Sequence, residues 1–220
     1  MVWSKSRSEI LQVVEGVTDS KTADQKKSPS ITCPHEEFAP RKEEEEESFR
    51  VAWTSAVKFV QENSLTFLPQ DALEYHLSKL HDIESRGVPG NIVECGVAKA
   101  GSSISIAAYK NPRRCLHLFD TFEGIPEPSA KDGADVLNRY VNIQKGKAAC
   151  KRGSFRCDKT YYGNMENLLA YDIAQFESAG LPPQENAVYF HKGLFDDTVW
   201  PAGPIAYAHL VRYFTYNTPT

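Results

Sequence analysis

Apolar residues are sparse over the first fifty positions and become periodic only beyond them. Thr18 to Arg41 mixes Ser, Lys, Asp and Pro with few apolar anchors. Such a stretch cannot bury enough surface to offset chain entropy, which predicts disorder. The run Glu43 to Glu47 follows. It reads either as an acidic interaction tail or as the solvated first turn of a helix, where carboxylates suit the positive end of the helix dipole. Ala52, Trp53, Ala56, Val57 and Val60 then recur at helical spacing and predict a helix to about Glu62. A second helix is predicted from about Gln70 to Arg86. Pro69 precedes it, Leu73, Leu77 and Leu80 share a face, and Gly87 closes it. His76 and His81 fall on this helix without a His or Cys partner at metal-site spacing, so they read as packing or surface residues.

After Pro89 short apolar runs alternate with helical stretches. Asn91 to Cys95 reads as a strand and Gly101 to Lys110 as a helix stopped by Asn111-Pro112. Leu116 to Asp120 reads as the next strand. A loop-rich stretch follows. A helix then spans about Met165 to Ser178 through Leu168, Leu169, Ile173 and Phe176, and Gly180 with Pro182-Pro183 ends it. Ala187 to Phe190 and Ile205 to Leu210 are the third and fourth strands. Strands alternating with helices imply a parallel sheet with crossover connections, and so an α/β, Rossmann-like fold preceded by helices. The expected organisation is a largely disordered region over 1–48, an α/β domain over 49–210 and an aberrant tail over 211–220.

Composition narrows the function. A net charge of −4 with no basic cluster argues against nucleic acid as a partner. No run of eighteen apolar residues predicts a transmembrane helix. No signal-peptide core precedes the polar N-terminus, and a cytoplasmic location is expected. The five cysteines are odd in number and form no CxxC pair. Cys95 and Cys115 read as small hydrophobes in buried strands; Cys150 and Cys157 flank a basic loop and could pair, but free thiols of a reducing compartment are the expectation.

Two segments carry candidate chemistry. Glu94-Cys95-Gly96-Val97-Ala98-Lys99-Ala100-Gly101-Ser102-Ser103 is a strand end, a glycine-bounded turn and a helix start. Ligands of open α/β folds bind at the carboxyl ends of strands. A phosphate-cradling P-loop fails here, because Lys99 precedes Gly101 instead of following it. A dinucleotide fingerprint lacks its middle glycine. Glu94 would also repel a pyrophosphate and favour a cationic ligand; opposite charges ~4 Å apart gain about 4 kcal/mol at a near-surface dielectric. S-adenosylmethionine (SAM) fits this turn better than NAD, and a turn that binds nothing is the bland alternative. The second segment is Leu118-Phe119-Asp120-Thr121-Phe122-Glu123-Gly124-Ile125-Pro126. Asp120 ends a strand where an acid can accept hydrogen bonds from both ribose hydroxyls; otherwise it is a turn or cap residue.

Together these segments resemble the macrocin O-methyltransferase (TylF-like) family. Val88 to Val97 is similar to its first strand and glycine turn, and Asp120 to Pro128 to its Asp-Ser-Phe-Glu-Gly-Leu-Pro signature. Lys192-Gly193-Leu194-Phe195-Asp196-Asp197-Thr198 resembles its Lys-Gly-x-Phe-x-Asp-Thr segment, and Leu65 to Leu68 its Thr-Met-Leu entry to a helix. The resemblance spans about Leu65 to Leu210. It implies a SAM-dependent O-methyltransferase acting on a hydroxyl of a small molecule. It also implies a cofactor site of Glu94, Gly96, Val97, Gly101, Ser102, Asp120, Thr121, Phe122, Gly193 and Phe195. His191 is adjacent but reads as packing or solvent-facing, and no catalytic residue is assigned.

The family resemblance also implies a magnesium ion held by aspartates after the fourth strand, where it would acidify the acceptor hydroxyl. No aspartate follows Leu210 in this chain, so no metal ligands are assigned. Four strands of the seven the family would have are legible, and the fourth is expected to be an exposed edge. The abrupt change after Leu210 reads as a frameshift, a retained intron or a mispredicted gene end. The expectation is a chain that binds SAM without turning over; the alternative is a non-catalytic SAM-binding or partner-binding fragment.

Overall fold

The computed structural model describes residues 33, 38–66, 68–123, 127–128, 133–145, 165, 167–194, 198 and 204–210. Most of the N-terminal stretch expected to be disordered, together with Gly124 to Pro126, Cys150, Cys157, Phe195 to Asp197 and the tail 211–220, lies outside them.

Helix α1, Glu43–Glu62, begins on the glutamate run and buries Trp53, Ala56, Val57 and Val60. The acidic first turn is therefore a helix start. Glu46 turns inward, taking hydrogen bonds from Tyr109 and from Nδ1 of His81 (3.0 Å) beside the Arg50 guanidinium (2.9 Å). Helix α2, Gln70–Ser85, buries Leu73, His76, Leu80, Ile83 and Glu84. Strand β1 is Asn91–Cys95. Helix α3, Gly101–Tyr109, is buried at every position, which suits a short apolar helix held against the sheet under α1 and α2. Strand β2 is Leu116–Asp120.

The stretch read as loop-rich contains a helix, α4, over Ala134–Gln144. Val136, Leu137, Tyr140 and Val141 carry helical spacing, but they stand among flanking Pro and Gly residues that punctuate the local pattern as loop. Helix α5, Leu168–Ser178, starts at Asn167 in a left-handed conformation (φ 58°). Strand β3, Val188–Lys192, is shifted toward its C-terminus from the expected span, and β4 is Ile205–Leu210.

All four strands are parallel, in the order β3-β2-β1-β4. The chain moves outward from β1 through β2 to β3 and then returns to the other side of β1. The carboxyl ends of β1 and β4 thus flank the point where strand order reverses, the usual ligand crevice of such sheets. Register sets Glu94 between Leu118 and His209, and Asp120 beside Lys192.

One sheet face, with Ile92, Leu116, Leu118 and Val188, packs with the buried faces of α1, α3 and α5 in the main core. The other holds a small cluster of Val93 and Phe119. Arg114, fully buried, pairs with Glu84 at 2.8 Å and donates to the Val88 carbonyl at 2.8 Å. This pair joins the end of α2 to the entrances of β1 and β2.

Of the N-terminal stretch, Cys33 and Phe38 are buried. Arg41 donates to the Tyr109 carbonyl at 2.6 Å and lies 3.6 Å over the Phe49 ring. Cys33 forms a disulfide with Cys115, with Cα atoms 6.2 Å apart and the two residues 82 positions apart in sequence. Cys115 is therefore not the lone buried hydrophobe its strand suggests. Pairing across such a separation is set by tertiary approach and leaves no spacing signal.

Candidate functional site

The turn after β1 departs from ordinary backbone at three positions. Gly96 has φ 91°, Ala98 φ 55° and Ala100 φ 60°. Left-handed non-glycine residues each cost on the order of 1–3 kcal/mol and persist where surrounding bonds hold them. Asp120 supplies those bonds from β2. Its Oδ2 accepts from the Val97 amide at 2.7 Å and the Ala98 amide at 3.2 Å. Its Oδ1 accepts from the Phe122 amide at 3.0 Å and the Thr121 hydroxyl at 3.3 Å. The two sequence segments are thus locked together by one carboxylate.

Glu94 is completely buried. Its carboxylate accepts from Ser102 Oγ at 2.5 Å and from Ser103 Oγ, and its Oε1 lies 2.9 Å from Nδ1 of His209. Its negative charge therefore sits beneath the turn, tying β1 to the start of α3 and to β4. Gly101 serves the same packing. A Cβ there would stand 2.6 Å from the Leu65 carbonyl oxygen, so glycine lets α3 approach the segment before α2. Val97 is a core residue, and Phe122, with φ 50°, turns its ring against Phe190 (centroids 5.7 Å apart). Gly193 (φ 150°) donates its amide to the Asp120 carbonyl at 3.0 Å, and a Cβ there would meet Thr198 Cγ2 at 2.6 Å. Apart from Phe195, which lies outside the described residues, the predicted residues gather at the carboxyl edge of β1, β2 and β3. Many of them build the turn itself.

Asp172 escaped the sequence reading. It lies on α5, fully buried, and neither carboxylate oxygen has a hydrogen-bond partner. Burial first, then the charges of Asp120 and Glu94, hold its carboxyl well above the usual carboxylate range, while Lys99 opposes them. Leu168, Leu169, Asp172 and Phe176 form one buried stripe. An acid inside an apolar helical stripe was the available signal. His209 and His76 were also not foreseen together: their rings stand 4.1 Å apart, and Nδ1 of His76 meets the Tyr207 hydroxyl at 2.7 Å. Burial, followed by the His209 charge, lowers His76 to about 4. His191 faces away from the turn and pairs its Nε2 with Nδ1 of His117 at 2.9 Å.

The profile of the macrocin-O-methyltransferase (TylF) family matches residues 12–157, more than half of the chain. The chain belongs to that family. The match reaches further toward the N-terminus than the motifs suggested and stops before Lys192. A curated relative, the 8-demethyl-8-(2,3-dimethoxy-alpha-L-rhamnosyl)-tetracenomycin-C 4'-O-methyltransferase of Streptomyces olivaceus, is 30% identical over 89 residues, 39% of this chain. The chain spans about a third (34%) of that relative's length. The solved structure of the O-methyltransferase NovP superposes with a TM-score of 0.55 at 17% identity, covering 74% of this chain and 72% of NovP. That likeness shows a shared α/β methyltransferase fold. No described helix is long and apolar enough to cross a membrane.

Proposed function

We propose that this macrocin-O-methyltransferase family member binds SAM at the carboxyl edge of β1 and β2 and serves methyl transfer to a hydroxyl of a small molecule. The carrying observation is Asp172, a buried carboxyl with two unpaired oxygens that interacts with the charges of Glu94 and Asp120 beside a strained turn. Unpaired buried acceptors are costly, which favours a ligand bearing donors or positive charge. SAM carries an ammonium and a sulfonium and no phosphate, whereas a pyrophosphate would meet three acids. When bound, SAM would supply a sulfonium methyl whose carbon an acceptor hydroxyl oxygen can attack, with neutral S-adenosylhomocysteine as the leaving group and the hydroxyl proton lost to solvent.

The chain's own part is binding and orientation. Asp120 already accepts three amide bonds and one from the Thr121 hydroxyl, about the four lone-pair sites of a carboxylate, so a ribose hydroxyl would take the place of Thr121, the longest of the four at 3.3 Å. Glu94 would face the cationic end of the ligand, and Asp172, whose carboxyl burial holds toward its protonated form in the free chain, would ionise against that cation. Holding reactants in near-attack geometry can account for roughly 7–11 kcal/mol of a barrier.

The magnesium that the family resemblance implies does not fit the described acids. Glu94 accepts from two serines beside His209, and Asp120 is taken up by backbone amides. The one cluster of potential ligands among the described residues is Cys33, Cys115 and His117, a soft set unlike the oxygen shell magnesium takes. No step is derived through magnesium.

Calorimetric titration with SAM, S-adenosylhomocysteine and NAD tests the reading. SAM and S-adenosylhomocysteine should bind, with NAD weaker than either; tighter binding of NAD would overturn it.

A further inference from the structure

Three soft donors meet at the entrance of β2, on the sheet face away from the main core. Cys33, Cys115 and His117 offer ligand atoms that all lie within 4.8 Å of one another, and all three residues are buried. Sγ of Cys33 stands 3.2 Å from Nε2 of His117. The other ring nitrogen of His117 faces Nε2 of His191 at 2.9 Å. Two neutral imidazole nitrogens that close share one proton. When it sits on Nδ1 of His117, the Nε2 lone pair points at sulfur with nothing to bind. A disulfide sulfur has no proton to donate and is only a weak acceptor in the other tautomer. A cation shared by imidazole and thiolates satisfies every member. The partner on the outer ring nitrogen is the device that fixes the tautomer of metal-binding histidines.

We propose that, with the Cys33–Cys115 pair reduced, Cys33, Cys115 and His117 hold a zinc ion that ties the N-terminal segment to the sheet. A dithiol opens the disulfide, giving up two electrons and two protons to the cysteine sulfurs and becoming a disulfide itself. Zinc binding then releases both thiol protons and forms two Zn–S bonds and one Zn–N bond. Those bonds are about 2.3 Å and about 2.0–2.1 Å long, so ligands of a tetrahedral zinc stand roughly 3.5–3.8 Å apart. The Cys33–His117 pair is already near that spacing, and two unbonded sulfurs at van der Waals contact are too. Thiolate and imidazole favour zinc over magnesium or calcium. The site lies at the entrance of β2, whereas the glycine turn follows the carboxyl end of β1, so its test is independent of SAM binding.

The experiment uses the full chain, purified in a dithiol from zinc-supplemented medium and dialysed. Elemental analysis should find one zinc per chain. Exchange with cobalt(II) should give the near-ultraviolet sulfur-to-metal charge-transfer bands and strong visible bands of a tetrahedral thiolate site. Cys33→Ser should abolish those charge-transfer bands or weaken zinc binding at least tenfold. Cys33 precedes the first helix, and circular dichroism verifies that the variant keeps its fold. His191→Phe should lower zinc affinity by about 10–100-fold through the lost outer hydrogen bond, whereas Cys95→Ser should leave it unchanged. The proposal is overturned if the reduced wild-type chain retains no stoichiometric zinc, if cobalt gives no thiolate charge transfer, or if the Cys33–Cys115 cross-link persists in the dithiol.

Discussion

A buried carboxyl with no partner destabilises a fold unless something else uses it, and Asp172 stands in that position. Its raised pKa means that the folded state holds a proton the unfolded state releases. Its share of the ligand-free chain's stability is therefore greatest at low pH and shrinks as pH rises from the ordinary aspartate range through its folded pKa. Asp172→Asn should raise the melting temperature of the free chain at neutral pH. It should also weaken SAM more than S-adenosylhomocysteine, because only SAM carries the sulfonium. Thermal melts with two titrations decide this, and equal losses for both ligands would remove Asp172 from the charge argument. Asp120 differs, since both its oxygens already serve the turn. Asp120→Ala should lower affinity for S-adenosylhomocysteine at least tenfold, at about 1.5–3 kcal/mol for each bond to a charged group. It should also lower the melting temperature, because the Val97, Ala98 and Phe122 amides lose their acceptor. Loss of stability with unchanged affinity would reduce Asp120 to a turn residue.

At the scale of elements, the glycine turn is held by packing as much as by its own conformation. Helix α3 sits close to the segment before α2, and Gly101 makes that approach possible. In Gly101→Ala the new methyl would stand 2.6 Å from the Leu65 carbonyl oxygen and 2.8 Å from Thr66 Cβ. Backbone there has little room to yield, and overpacking of this kind costs roughly 1–3 kcal/mol. Chemical denaturation should register that loss, and ligand affinity should fall with it, because the start of α3 carries Ser102 and Ser103 to Glu94. An unchanged denaturation midpoint would mean the helix shifts freely. The strands around the turn were legible because short apolar runs bounded by Gly and Pro read directly as buried parallel strands. Helix α4 was not, since its apolar positions stand between turn-forming residues that dominate a local reading.

At the scale of the molecule, histidines join the elements. His76 of α2 meets Tyr207 and His209 of β4, and His209 meets Glu94 of β1. With a folded pKa near 4, His76 stays neutral when folded but takes up a proton in the unfolded chain near the ordinary histidine pKa. Stability on this account is fully present above about pH 6.5 and is lost as pH falls from there toward 4, by at most about 3 kcal/mol for this residue. Melts between pH 7 and 4 should show the decline, and His76→Phe should flatten it. A slope unaffected by the variant would assign the loss to other groups.

Periodicity, turn residues and strand-end acids were enough to read an α/β sheet, the helices before it and the glycine turn with Asp120. These features depend on neighbours within a few positions, where the side-chain repeat of a helix or strand and the demands of a tight turn act. The family resemblance also rested on such local motifs. Tertiary structure decided the rest. It turned Glu94 inward onto two serines and His209, made Gly101 a packing residue, and brought Asp172 toward Asp120 and Glu94. It also carried Cys33 to Cys115 and His117. Each of these contacts joins segments whose approach depends on strand order and helix packing, and no local pattern records that approach.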